Sequence, residues 1–300
     1  MKNKTIIIIV GPTAVGKTSL AIQLAEYLRT KIISADSRQC FKEINIGVAK
    51  PSDEELKKVH HYFINTFSIN EEVNAALFEK LALQYAQEIF KENDFGVMVG
   101  GTGLYVKAFC EGLDEMPAAN LLIRNEIQNQ FIEKGLAWLQ NELQKNDPEF
   151  YNKGEIQNPH RMMRALEIKL TTGKSILTFR SQQKKERPFN IIKIGLQLNK
   201  ELLHQNINKR VAKMMDDGLL NEVKNLFPYK NLNALNTVGY TELFNFLEEK
   251  VTLAEAVDLI KKNTRHYAKR QMTWFKKDAD IKWFSPNDFE LVKNFVLINN

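Results

Sequence analysis

From residue 11 the chain reads Gly11-Pro12-Thr13-Ala14-Val15-Gly16-Lys17-Thr18, which fills every fixed position of the series G-x-x-x-x-G-K-[ST]. Glycines at both ends let the backbone wrap an anion with its N–H groups pointing inward, and the positive end of a following helix adds to that field. Lys17 brings a mobile charge to phosphate oxygens, and the Thr18 hydroxyl is suited to ligate Mg²⁺. Such a cradle identifies a polyphosphate and leaves the reaction open. An ATP-dependent kinase or NTPase also needs a strand ending in a carboxylate that holds the metal. Asp36, after Lys31-Ile32-Ile33-Ser34-Ala35, is the available acid, and it could face either the phosphates or an acceptor. The other apolar run, Phe95 to Val99, enters Gly100-Gly101-Thr102-Gly103 with no carboxylate, which weakens the kinase reading without removing it.

These residues need strands and helices that bring them to one place. Thr5 to Val10 is a continuous β-branched run that predicts a buried strand, and Thr18 to Arg29 predicts a helix with Leu20, Leu24 and Leu28 on one face. Lys31 to Ala35 predicts a second strand. Phe78, Leu81, Ala82, Tyr85 and Ile89 recur at helical spacing before the strand at Phe95 to Val99. This alternation is that of an α/β fold, a P-loop NTPase-like parallel sheet flanked by helices. The pattern changes near Glu115. Ile123 to Ile132, Ala137 to Leu143 and Arg161 to Leu170 are helical, and strand signal returns only at Ile191 to Leu198. We therefore expect a discontinuous core, residues 1–114 and 188–300, around a helical insertion at residues 115–187. Further helices are expected at Ile207 to Met215, ending near Gly218, and around Leu259 to Phe275.

A chain of 300 residues with 44% hydrophobic composition can bury a substantial core. Its two cysteines, Cys40 and Cys110, form neither a disulfide framework nor a zinc-ligand pattern, which fits a reducing cytoplasm. The apolar stretch after Met1-Lys2-Asn3-Lys4 stops at Gly11-Pro12, too short for a secretory signal, and no run approaches membrane-spanning length. The formal net charge of +6 permits nucleic-acid binding without requiring it. The charge is concentrated. Lys153, Arg161, Arg164, Lys169, Lys174, Arg180, Lys184, Lys185 and Arg187 crowd the insertion, and Lys261, Lys262, Arg265, Lys269, Arg270, Lys276 and Lys277 crowd the late helix. Alone, such runs are as consistent with a solvated face as with RNA binding.

Taken in order, the segments GPTAVGKTSLA, ISADSRQCF, IGVAKP, HH, GGTGLYVKA, NPHRMMRALE, INKRVAKMMDDGLLNEV, TVGYTEL and TRHYAKRQMTWF resemble those of the bacterial tRNA dimethylallyltransferases, also called tRNA isopentenyltransferases. Phe41 stands where the family usually has Tyr, Val48 where it has Thr, and Pro159 where Asp is common. Ser175-Ile176-Leu177 replaces a more usual Pro-Leu-Ser. None of these changes removes a candidate catalytic group.

The resemblance implies transfer of a dimethylallyl group from dimethylallyl diphosphate to the exocyclic N6 of adenosine at tRNA position 37, beside the anticodon. It implies a diphosphate held by Gly11, Thr13, Ala14, Val15, Gly16, Lys17, Thr18 and Arg210, with Mg²⁺ on Thr18. Asp36 is then the base that accepts the amine proton, with metal binding as its competing role. The Thr102 hydroxyl orients the amine, or merely shapes a glycine turn. Ser37, Arg38 and Gln39 are expected at the target nucleotide, which must leave its stack to react. Arg124, His160, Arg161 and Arg164 of the insertion, with Lys269 and Arg270, are expected at tRNA phosphates and bases. Phe41 is expected in the core, and His60 and His61 in structural roles. The expected partner is a tRNA anticodon stem-loop, bound by a cytoplasmic monomer with no membrane contact. The alternatives are a P-loop small-molecule kinase, a free-adenylate prenyltransferase and a noncatalytic RNA-binding module.

Overall fold

The structure, a computed structural model, describes residues 4–180 and 183–300. Met1 to Asn3, which open the N-terminal lead, lie outside the described residues. The described chain forms two compact units, one of Met1–Glu111 with Glu186–Asn300 and one of Gly112–Lys185.

In the first unit, β1 (Thr5–Val10), α1 (Lys17–Tyr27), β2 (Ile32–Ser34), α2 (Asp53–Lys58), β3 (His61–Tyr62), α3 (Ala75–Glu92), β4 (Phe95–Val99) and α4 (Gly103–Glu111) come first. The second unit contributes α5 (Leu121–Asn146), α6 (Pro148–Lys153) and α7 (Pro159–Thr172). The chain then returns through β5 (Asn190–Leu196), α8 (Lys200–Asp216), α9 (Leu219–Leu226), α10 (Tyr240–Leu247), α11 (Leu253–Phe275), β6 (Lys282–Phe284) and α12 (Phe289–Ile298). The strands form one sheet in the order β3-β2-β4-β1-β5-β6, every pairing parallel.

A central parallel strand is covered on both faces, which is why β1 is apolar at almost every position rather than at alternate ones. Its side chains divide by parity. Ile6, Ile8 and Val10 enter one core with Phe78, Met98, Phe109 and Tyr240. Ile7 and Ile9 enter the other with Leu20, Leu24, Val97 and Val292. The C-terminal helix α12 closes this second core through Val292 and Val296. Because all strands run the same way, the segments after β1, β2 and β4 leave the sheet at the same carboxyl edge, where open α/β sheets bind ligands. The glycine series, Asp36 and Gly100–Gly103 are those segments.

The second unit has its own core of Ile127, Leu139, Leu143, Phe150, Met162, Ala165, Leu166, Ile168 and Ile176. The two helices expected between Ile123 and Leu143 are continuous in α5 except for a break at Gly135, where φ is 72° and ψ is −167°. This unit spans Gly112–Lys185, and it ends before residue 187 for a visible reason. Arg187, counted with the insertion's basic residues, belongs to the α/β unit. Its guanidinium donates to the Phe109 carbonyl (2.7 Å), the Ala108 carbonyl (2.8 Å) and Glu79 (2.8 Å).

Candidate active site

The turn after β1 is built around Gly11. Its φ of +147° is strained for an L side chain, and a Cβ there would lie 2.6 Å from the Leu196 carbonyl oxygen of the neighbouring strand. The turn delivers Lys17 to the start of α1, where its Nζ donates to the Gly11 carbonyl (3.0 Å) and the Pro12 carbonyl (2.8 Å). Burial lowers the Lys17 pKa to about 7. The Arg210 charge pushes the same way, and Asp36 opposes both. Two desolvated basic groups thus lie together with a carboxylate nearby, and an anionic ligand would favour their charged forms.

Arg210, from α8, donates from Nη1 to the Thr13 hydroxyl at 3.1 Å, so a residue 197 positions away closes the cradle. Burial holds its guanidinium below the usual value. Its place beside the turn argues against a solvated helix arginine. Gln271, from α11, is a residue that the sequence reading passed over. It is buried, accepts the Thr13 N–H at 2.8 Å and donates to the Gly101 carbonyl at 3.0 Å, tying the turn after β1 to the turn after β4. Its only sequence signal was membership of TRHYAKRQMTWF.

Asp36 follows β2. Its Oδ1 accepts the backbone N–H groups of Arg38 (2.8 Å) and Gln39 (3.2 Å), a local turn that fixes the carboxylate's orientation. Thr102 Oγ1 accepts the Ser37 N–H at 3.0 Å, so its hydroxyl is held against the turn beside Asp36. The Arg38 guanidinium donates to the Asn236 carbonyl at 3.3 Å. Gln39 turns inward instead. Its Nε2 donates to the carbonyls of Val48 (3.2 Å) and Ala49 (3.0 Å), so its amide is occupied within the protein.

Two cavities open here. The smaller, of about 270 Å³, is walled by Thr13, Ala14, Gly16, Lys17, Thr18 and Gln271. The larger, of about 510 Å³, is walled by Ser37, Arg38, Thr237, Asn263, Thr264 and Arg270. Thr13, Asp36, Val48, Ala49, Arg210 and Tyr267 belong to both walls, so the cavities meet at the carboxylate and the arginine. Among the candidate diphosphate residues, Gly11 and Val15 are buried and line neither cavity. Arg270 stands over the Tyr267 ring at 5.8 Å and, like Lys269 on the same helix, is exposed.

The remaining expected contacts lie in the second unit, in different surroundings. Arg164 donates to the buried Glu167 (2.6 Å) and to the Pro117 carbonyl (2.7 Å). Arg124 reaches the same carboxylate at 3.6 Å, Arg161 pairs with Glu155, and His160 is exposed. Phe41 lies in the core, as expected. His61 is buried with Nδ1 2.8 Å from the Val59 carbonyl, and His60 meets Tyr62 edge-on, both structural placements.

The IPP transferase family model matches residues 39–278 of the chain. A tRNA dimethylallyltransferase of Christiangramia forsetii is 48% identical over 95% of this chain and 96% of its own length. One from Flavobacterium psychrophilum is 48% identical over 93% of each chain. Among solved structures, a tRNA isopentenylpyrophosphate transferase from Bacillus halodurans aligns with a TM-score of 0.73 and 33% identity, over 98% of this chain and 96% of that one. A eukaryotic dimethylallyltransferase acting on tRNA aligns with a TM-score of 0.76 and 27% identity, over 96% and 75%. With the family model matching residues 39–278 and relatives 48% identical over nearly the whole length, the chain belongs to the IPP transferase family.

Proposed function

We propose that this protein transfers the dimethylallyl group of dimethylallyl diphosphate to N6 of adenosine at tRNA position 37, releasing diphosphate and leaving N6-(dimethylallyl)adenosine. The observation that carries this reading is the pair of cavities meeting at Asp36 and Arg210. A polyphosphate cradle suits the donor, the larger cavity suits an extruded base, and the carboxylate stands where the two cavities meet. The relatives' names agree with it.

In the reaction the allylic C–O bond breaks and its electron pair leaves with the diphosphate. The N6 lone pair forms the new C–N bond, and the N6 proton passes to Asp36. The amine is a weak nucleophile because its lone pair is delocalised into the purine. A base accepting the proton during bond formation contributes about 10²–10⁴-fold. With Oδ1 fixed by two backbone N–H groups, Oδ2 is the oxygen we assign to the proton. The Thr102 hydroxyl orients the amine from the adjoining turn. Lys17, Arg210 and the cradle N–H groups stabilise the charge that develops on the leaving diphosphate.

Mg²⁺ fits this site. Among the described residues no group of three acidic, His or Cys side chains could hold a metal alone, and Mg²⁺ ordinarily uses few protein ligands together with substrate phosphates and water. Thr18, in the wall of the smaller cavity, would supply the hydroxyl ligand. When bound, the ion would offset charge on the diphosphate.

The acceptor is assigned as a tRNA anticodon stem-loop, bound by a cytoplasmic monomer. Ser37 and Arg38 would meet the extruded nucleotide, and Lys269, Arg270, Arg124, His160, Arg161 and Arg164 its phosphates and neighbouring bases. No helix among the described residues is long and apolar enough to cross a membrane.

The test incubates the protein with Mg²⁺, unmodified tRNA and dimethylallyl diphosphate, then digests the RNA for nucleoside mass spectrometry. A prenyl mass on adenosine, absent when ATP replaces the donor, is the expected result. ATP turnover with a small acceptor and no prenylated nucleoside would refute the assignment.

A further inference from the structure

Three of the segments that carried the resemblance, IGVAKP, the final DDGLLNEV of the stretch that begins at Ile207, and TVGYTEL, supply none of the reacting or phosphate-binding groups assigned above. They converge on one carboxylate. Glu222, on α9, accepts from Oε2 the N–H groups of Asn45 (3.0 Å) and Ile46 (2.8 Å). Its Oε1 accepts the Gly47 N–H at 3.1 Å and the Tyr240 hydroxyl. An ionised carboxylate can accept four donors in this way. An amide of the same size has a single acceptor oxygen and would turn an NH₂ group toward at least one of them.

The same loop is held from its other side. Val48 and Ala49 offer their carbonyls to Gln39, whose own N–H bonds the Asp36 carboxylate at 3.2 Å. The loop is also under conformational demand. Ala49 has φ of +48°, a left-handed conformation that is unfavourable for a residue other than glycine. Gly47 lies against Tyr240, whose ring would be 2.5 Å from any Cβ at that position, and Tyr240 is fully buried. Gly47, Val48 and Ala49 wall the larger cavity with Asp36, Val48 and Ala49 also edge the smaller one, and Glu222 lines neither.

We propose that Glu222 is a positioning residue for the transfer, holding the Asn45–Ala49 loop as the wall that sets the acceptor base against Asp36. This inference rests on the transferase reading above. It makes Glu222 act through the loop, without contact with either substrate.

The test compares wild type with Glu222→Gln, Glu222→Asp and Tyr240→Phe. Prenyl transfer is measured with tRNA varied, Kd is measured for inorganic diphosphate, and backbone amide exchange is followed across residues 45–49. Misplacement of a reacting group by about 1 Å can reduce turnover on the order of 10²-fold. Glu222→Gln is therefore expected to lower kcat/KM for tRNA by about 10²-fold while the diphosphate Kd changes less than about threefold. Exchange at Asn45 to Gly47 should accelerate while other amides keep their protection. Glu222→Asp, which keeps the charge, should recover part of the rate, and Tyr240→Phe, which removes one of four donors, should lose roughly tenfold or less. Wild-type rate and exchange in Glu222→Gln would overturn the proposal. So would a loss of diphosphate binding that matches the loss of rate, the signature of a merely structural residue. If wild-type protein itself leaves no prenyl group on tRNA, the transferase reading fails. Loop exchange and diphosphate binding still report on Glu222 independently.

Discussion

The α/β unit and the helical unit both carry clusters of charge, but they handle it differently. At the sheet's carboxyl edge Lys17, Arg210 and Asp36 share a desolvated space. Their partners there are backbone groups and neutral side chains, so part of their charge is left for a ligand. In the helical unit Arg124, Arg161 and Arg164 are each paired with a glutamate. A buried, preorganised site makes every interaction strong and every misplacement costly. An exposed pair such as Arg161–Glu155 contributes little individually and is screened by salt, while Arg124 and Arg164 converge on the buried Glu167. Reaction rate should therefore be concentrated in a few residues of the first unit, and RNA affinity spread across many.

The most severe test of that contrast is Asp36→Ala. Turnover should fall by about 10²–10⁴-fold while diphosphate Kd, measured by calorimetry, moves little. Parallel losses of binding and rate would assign Asp36 to the metal instead. Second is Glu167→Ala in the helical unit, which leaves the Arg164 guanidinium beside an emptied, formerly buried partner. It should destabilise that unit by about 3 kcal/mol in denaturant unfolding, with diphosphate affinity unchanged. Arg161→Ala is milder. Its anticodon stem-loop affinity should drop by less than about tenfold, and the slope of log affinity against log salt should flatten by about 1. An unchanged salt slope would remove Arg161 from the phosphate contacts.

The smallest effect concerns Lys50, which donates to the Phe41 carbonyl and to Asn65. Burial lowers its pKa to about 8. Unfolded chains then bind more protons than folded ones between about pH 8 and the ordinary lysine value near 10.4, so its contribution to stability rises with pH over that window. The Tm difference between wild type and Lys50→Met should shift in favour of wild type from pH 8 to pH 10. An unchanged difference would mean that Lys50 is charged normally in the fold.

The phosphate turn was legible because its geometry is local: two glycines, a lysine and a threonine within eight positions, between a strand and a helix. β1 and β4 were legible because buried parallel strands are apolar throughout. β3, two residues long, and β6, three, were not, because they are too short to show any period and form only where a neighbouring strand offers its edge. Gln271 was equally hidden, since its partner Thr13 lies 258 positions away and a glutamine on a basic helix carries no local sign of that bond. Basic residues could not be told apart for the same reason. Arg187 and Arg164 look alike in sequence, yet one is tied to Glu79 and the other to Glu167. Glu222 sat inside a family segment, but its meaning depends on Asn45, 177 positions before it.

By itself the sequence determined the alternation of strands and helices, the anion-binding turn and the presence of Asp36 at the end of a strand. Periodicity, glycine freedom and the order of a few residues fix these. Only the tertiary structure decided which distant groups complete the site, which cations are paired, and that the two cavities meet at Asp36 and Arg210. The reason is physical. A parallel sheet brings the ends of β1, β2 and β4 to one edge, and the helices packed beside it supply side chains from the far end of the chain.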